Sequence, residues 1–171
     1  MANIFGIRRS DPSEELVSIS DRGADALLDI LVLAASALAE TDSQRRLAVW
    51  LAEHDRNYGV GTVGFYLSDM PWDSDSFEED RQFMVRVTDA ASQKTGWEVL
   101  DYRPNADHLM PMLGWFRKGF VRLKTADINH GILNDWLSDM DDDDPVFHGF
   151  PRCKKHGVYL AWHGCRICNT K

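Results

Sequence analysis

Cysteine is absent from residues 1–152, and the whole chain of 171 residues holds three. A disulfide framework is therefore excluded for most of the chain, which must rely on an apolar core that a chain of this length can build. Long hydrophobic runs are also lacking. The longest apolar stretch, Ala26 to Ala39, is interrupted by Asp29 and falls short of the roughly 20 residues that cross a bilayer, so it reads as a buried helix with no membrane role. The opening Met-Ala-Asn-Ile-Phe-Gly-Ile-Arg-Arg lacks the greasy segment of a secretory signal, and a cytoplasmic location is expected. Internal repeats are missing too. With 44% hydrophobic and 27% charged residues, the composition is that of a globular chain and excludes a disordered one.

Positive charge is scarce in most of the chain and concentrated at one end. All 27 acids and 14 of the 19 Lys and Arg residues lie in 1–150, a balance of −13. Residues 151–171 carry Arg152, Lys154, Lys155, Arg166 and Lys171 with no acid, a balance of +5. The net −8 disfavours broad, sequence-blind binding of nucleic acid or anionic lipid. The split allows a local contact by the tail, or docking of the tail on its own acidic body.

Helical periodicity dominates what is present. Ser20-Asp21 starts a helix to about Glu40, on which Ala24, Leu27, Leu28, Leu31, Ala34, Ala35 and Leu38 keep helical spacing. Ile30, Val32 and Leu33 fall on its other faces, so this helix is expected at the centre of the domain, with a subunit interface as the alternative. Thr41-Asp42-Ser43 caps a second helix to about Asp55, and Val60–Leu67 reads as a strand. Ser76 with Glu79 predicts a capping box for a third helix to about Lys94, and Trp97–Tyr102 reads as a second strand. Asn105 caps a fourth helix to about Leu123, Thr125 opens a fifth through Trp136, and Asn3–Arg9 is a strand or an extended lead-in. The acids Asp139 to Asp144, closed by Pro145, mark a solvated boundary. The expected fold is α+β and mostly helical, a single domain with a short two- to three-stranded sheet. It divides into an acidic body, 1–145, and a basic module, 146–171.

All three cysteines fall in that module as Cys153-x2-His156 and Cys165-x2-Cys168, two ligand pairs eight residues apart. An x2 spacing lets two side chains converge on one ion from a tight turn, and two such turns supply the four donors of a tetrahedral site. Gly157 and Gly164 stand where those turns need freedom. The segment 153–168 resembles the zinc-ribbon and zinc-knuckle class in a Cys3His form, which implies one structural Zn2+ per chain. His156 has the best spacing for the fourth ligand, with His163 and His148 as alternatives.

Catalytic signatures are absent by comparison. Gly59-Val-Gly61-Thr-Val-Gly64 matches a dinucleotide fingerprint in letters, but the expected order, helix before and strand after, is the reverse of what pyrophosphate binding requires. His54-Asp55 has no upstream histidine to complete a metal set, and the acid runs lack the glycine and glutamate of a calcium loop. No Gly-x-Ser-x-Gly elbow occurs. Trp72, in Met70-Pro71-Trp72-Asp73, sits in an acidic turn. Trp72, Asp73 and Asp75 form a candidate partner-binding set, set against the commoner outcome of a loop Trp folded onto the body. Together these observations favour a non-enzymatic protein-interaction module of inhibitor, immunity or adaptor type, meeting a basic partner. The alternatives are a nucleic-acid-associated zinc protein, with Tyr159 and Trp162 stacking on bases, and an enzyme whose site is assembled from scattered residues.

Overall fold

The central helix α1 (Asp21–Leu38) owes its all-round apolar surface to being surrounded: α2 (Asp42–Glu53), α3 (Phe77–Ser92) and α4 (Ala106–Arg122) all pack on it. The computed structural model describes residues 3–9, 16–54 and 64–169. α1 is buried continuously from Leu27 to Ser36. Ser20 caps it, its hydroxyl accepting the Gly23 N–H at 3.3 Å. Thr41 and Asn105 cap α2 and α4 through the N–H groups of Gln44 and His108, as the sequence predicts. α3 and α4 pair closely along their apolar sides, and Phe5, Phe65, Phe116 and Trp50 meet edge to face in the core.

Among the described residues the sheet is two-stranded. β1 (Asn3–Phe5) pairs antiparallel with β2 (Val17–Ile19) in the register Asn3↔Ile19, Phe5↔Val17. The expected strand at Trp97–Tyr102 is a correction: Trp97–Val99 is a 3-10 turn. Gly96 stands before it in the left-handed region at φ 80°. The N–H groups of Val99 and Leu100 bond back to Gly96 and Trp97 instead of reaching a neighbouring strand. Of the expected strand Val60–Leu67, residues 60–63 lie outside the described residues, as do Gly59 and Gly61 of the glycine motif. Tyr66 forms an isolated parallel bridge with Gly6, and Leu67–Asp69 is a 3-10 turn.

Two further expectations change. The capping box at Ser76 does not form; its hydroxyl instead lies 2.9 Å from Asp80 Oδ2 and 3.2 Å from Ser43 Oγ, tying the start of α3 to that of α2. The fifth helix is split into a 3-10 turn, Thr125–Asp127, and α5 (Ile132–Ser138). Asp127 accepts the Lys124 N–H at 2.9 Å and Asn129 the Gly131 N–H at 3.2 Å, so side chains compete with the helix for backbone donors.

The tail runs back over the body. Val158, Tyr159, Ala161, Cys165 and Ile167 belong to the same buried cluster as α1, and the Tyr159 N–H donates to Ser36 of α1 at 3.2 Å. The molecule is thus mostly helical, with a small sheet and a C-terminal Cys/His cluster packed on its central helix.

Candidate metal centre

The first ligand pair sits in a tight reverse turn. Cys153 and Val158 are joined by a backbone bond of 2.8 Å, the Gly157 N–H donates to Cys153 at 2.8 Å, and Arg152 bridges Tyr159 across the turn. Gly157 closes it at φ 73°, a conformation that side chains with a Cβ resist. The second pair follows a similar turn: Ala161 and Gly164 exchange backbone bonds of 3.0 and 2.9 Å, with Gly164 at φ 95°. Cys165 then precedes the single-turn α6 (Arg166–Asn169), which carries Cys168.

These turns bring Cys153, His156, Cys165 and Cys168 together, with one ligand atom from each inside a sphere of mutual distances below 4.8 Å. His156 turns Nδ1 inward, 3.7 Å from Cys153 Sγ, 3.5 Å from Cys165 Sγ and 3.4 Å from Cys168 Sγ. Cys153 and Cys168 sulfurs are 3.8 Å apart. A regular tetrahedron with edges of this length has its centre about 2.2 Å from each corner, near metal–sulfur and metal–nitrogen bond lengths, and the remaining edges stay within 4.8 Å. The four residues could hold a metal ion. His156 and Cys165 are buried, Cys153 is half-buried and Cys168 is exposed.

His148 and His163, the other histidines considered as ligands, lie elsewhere. His148 Nε2 meets the Asp142 carbonyl at 2.8 Å, and His163 packs edge-on against Trp162. The His156 Nε2 atom is buried without a hydrogen-bond partner among the described residues. The thiols are driven apart in acidity. Burial raises Cys165, while at Cys153 the N–H groups of His156 and Lys155 outweigh burial and hold the thiol below its ordinary value. A divalent cation stabilises the thiolates together, which the protein dipoles alone do for only some of them.

Arg166, between the second pair of cysteines, is the residue that fastens this centre to the body. It is 1% exposed. Its Nε donates to Asp29 Oδ1 at 2.8 Å, its Nη2 reaches the Asp25 carbonyl at 3.3 Å and Oδ1 at 3.4 Å, and its Nη1 donates to the His54 carbonyl. Asp29 is fully buried, and its other oxygen accepts the Tyr102 hydroxyl at 2.7 Å. Burial raises the Asp29 carboxyl, opposed by Arg166 and Tyr102. In the sequence Arg166 counts only among the basic charges of the tail, with no partner indicated for it. The signal that could have found its partner is Asp29 itself, an acid inside an otherwise apolar helix.

Other candidates change accordingly. Trp72 is a correction to the partner-binding set. It is 1% exposed, its indole N–H donating to the Leu67 carbonyl at 2.8 Å and its ring packed edge-on against Phe77 and Phe120. The ring is folded onto the body, the alternative to an exposed anchor. Asp73 accepts from Arg46 at 3.3 Å and from the Asp75 N–H at 3.0 Å, and Asp75 is exposed. Asp144, expected in the solvated run, is buried and caps the 3-10 turn Pro145–Phe147. In the tail, Tyr159 is 3% exposed under the Arg152 guanidinium, whose centre lies 4.2 Å from the ring. Tyr159 is therefore closed to base stacking, whereas Trp162 is 57% exposed. No described helix is long and apolar enough to cross a membrane. Comparison with known protein families, with curated proteins and with solved structures finds no match.

Proposed function

We propose that the chain is a zinc-stapled helical domain that acts by binding another protein, without catalysis. The observation that carries the metal half is the S3N tetrahedron of Cys153, His156, Cys165 and Cys168. Thiolate and imidazole donors in this geometry select zinc among the abundant divalent ions, and four protein ligands leave no open position for water or substrate. The zinc is structural: one ion per chain fixes the two turns, and through Arg166 holds the tail on α1. Elemental analysis of purified protein should give one zinc per chain, and Cys165→Ser or Cys168→Ser should lose it. Metal-free protein of undiminished stability would sink this half.

The partner half rests on charge. Body residues 1–150 carry −13, and Asp139 and Asp141 to Asp143 are exposed in one run. A surface of this sign speeds encounter with a basic protein through steering, which suits an inhibitor, immunity or adaptor role. A purified basic partner captured from the source should associate more slowly as salt rises, and more slowly still when Asp141, Asp142 and Asp143 are changed to Asn. Salt-independent association with an acidic partner contradicts the reading. A nucleic-acid contact is the second reading, favoured by exposed Trp162, Lys154 and Lys155; retention on single-stranded DNA that falls with salt and with Trp162→Ala would select it.

A further inference from the structure

The four donors of the metal centre are not equally open to solvent. Cys168 is exposed on the single-turn α6 and Cys153 is half-buried in the first turn. Cys165 and His156 are only 7% and 6% exposed. The two outer sulfurs are also neighbours, with Cys153 Sγ and Cys168 Sγ 3.8 Å apart, close to van der Waals contact. A disulfide needs roughly 2.05 Å, a gap that side-chain rotation on so short a helix can close. A small oxidant arriving from solvent therefore meets Cys168 first, with a second sulfur already beside it. A bound metal keeps such sulfurs as thiolates, the form that reacts.

We infer that Cys168 and Cys153 are a peroxide-responsive pair, which a hydroperoxide converts to a disulfide that replaces the metal as the link between the two turns. The replaced link rests on the zinc reading above; the oxidation rests on the two sulfurs alone. The Cys168 thiolate attacks one peroxide oxygen, the O–O bond breaks, the sulfur becomes a sulfenic acid and hydroxide leaves. The Cys153 thiolate then attacks that sulfur, the S–S bond forms, the S–O bond breaks and a second hydroxide leaves. The two sulfurs lose two electrons between them and the peroxide gains both, while zinc keeps its oxidation state. Cys165 and His156 are then the remaining donors, too few for a tetrahedral site, and the ion is released. The new bond joins the same two turns and constrains the unfolded chain, so the tail stays closed without its metal. Exchange with a small thiol reverses the step.

Treatment of the reduced full chain, of measured zinc content, with a stoichiometric amount of hydrogen peroxide tests this. Free thiols should fall from three per chain to one, and peptide mapping should find Cys153 joined to Cys168 with Cys165 still reduced. Zinc should appear in solution in step, and dithiothreitol with added zinc should restore the starting state. The oxidised chain should melt above the reduced chain stripped by chelator. Cys165→Ser, which lacks a full ligand set, should still form the same disulfide. A preparation without zinc overturns the zinc reading alone, since thiol count and mapping still decide the pair. The pair is overturned if the thiols survive peroxide, if the mapped disulfide contains Cys165, or if Cys168 runs on to sulfinic acid instead. Its exchange with the metal is overturned if zinc stays bound to the oxidised chain, or if that chain melts no higher than the stripped one.

Discussion

Arg166 and Asp29 are buried charges, and burying a charge costs several kcal/mol unless a partner and further hydrogen bonds offset it. Here the offset is dense: Asp29 takes Arg166 on one oxygen and Tyr102 on the other, and Arg166 also holds Asp25 and the His54 carbonyl. Removing one side should be far worse than removing both. Arg166→Met should cost about 3–5 kcal/mol by leaving Asp29 uncompensated, and Asp29→Leu/Arg166→Met should recover much of that loss. Urea unfolding of the two single variants and the double variant reads the coupling. Additive losses would mean the pair does not act as a unit.

Two neighbouring groups at the end of α2 make stability depend on pH in opposite directions. Burial pushes Glu53 from 4.5 up to about 7, despite the Trp136 indole N–H on its carboxylate. Between those values the folded chain binds more protons than the unfolded one, so this group's contribution falls as pH rises. Burial pushes His54 from 6.5 down to about 4, so the unfolded chain binds more protons in that range and stability falls as pH drops. Where the ranges overlap, the slopes oppose. Glu53→Gln should therefore be more stable than the parent at pH 8, and should lose stability more steeply from pH 6.5 to 5. Urea midpoints at four pH values check it; parallel curves would contradict it.

At the scale of elements, helices were legible where local and long-range demands agreed. Ser20, Thr41 and Asn105 each cap a helix whose apolar spacing also matches its packing. The metal turns were legible for a related reason, since ligand spacing and glycine placement are local. Trp97–Tyr102 was not: its aromatic and apolar residues suit a strand, but Gly96 turns the chain and no described strand pairs with it. β2 was missed because three residues, Val17–Ile19, gain their identity only from pairing with β1. The metal turns carry their own prediction. Gly157, at φ 73° with open space around its Cα, should resist Ala for conformational reasons alone, at about 1 kcal/mol. Gly157→Ala should lower metal affinity severalfold in competition with a chelator, since the strain falls on the turn that joins His156 to Cys153. Unchanged affinity would show the turn to be looser than its bonds imply.

For the whole molecule, the question is whether the tail unfolds alone or takes the body with it. The charge pattern divides the chain near residue 145, yet Val158, Ala161 and Ile167 are packed into the core that α1 organises. Arg166 extends that union to a buried charge. A metal bound only by the folded state stabilises by mass action, about 4 kcal/mol at a thousandfold excess over its dissociation constant. If tail and body share one cooperative unit, chelation should lower the single thermal midpoint of the entire domain, with helix content and near-ultraviolet signal lost together. Cys165→Ser should melt at that lower midpoint already and should not respond to chelator. Two separate transitions, the later one insensitive to chelation, would instead make 146–171 an independent module. Arg166→Met discriminates further, because it removes the charged tie between tail and α1 without touching a ligand, leaving the Tyr159–Ser36 bond and the apolar packing in place. In a shared unit this variant should also lower metal affinity, for the ion would then have to order a tail that the body holds less firmly.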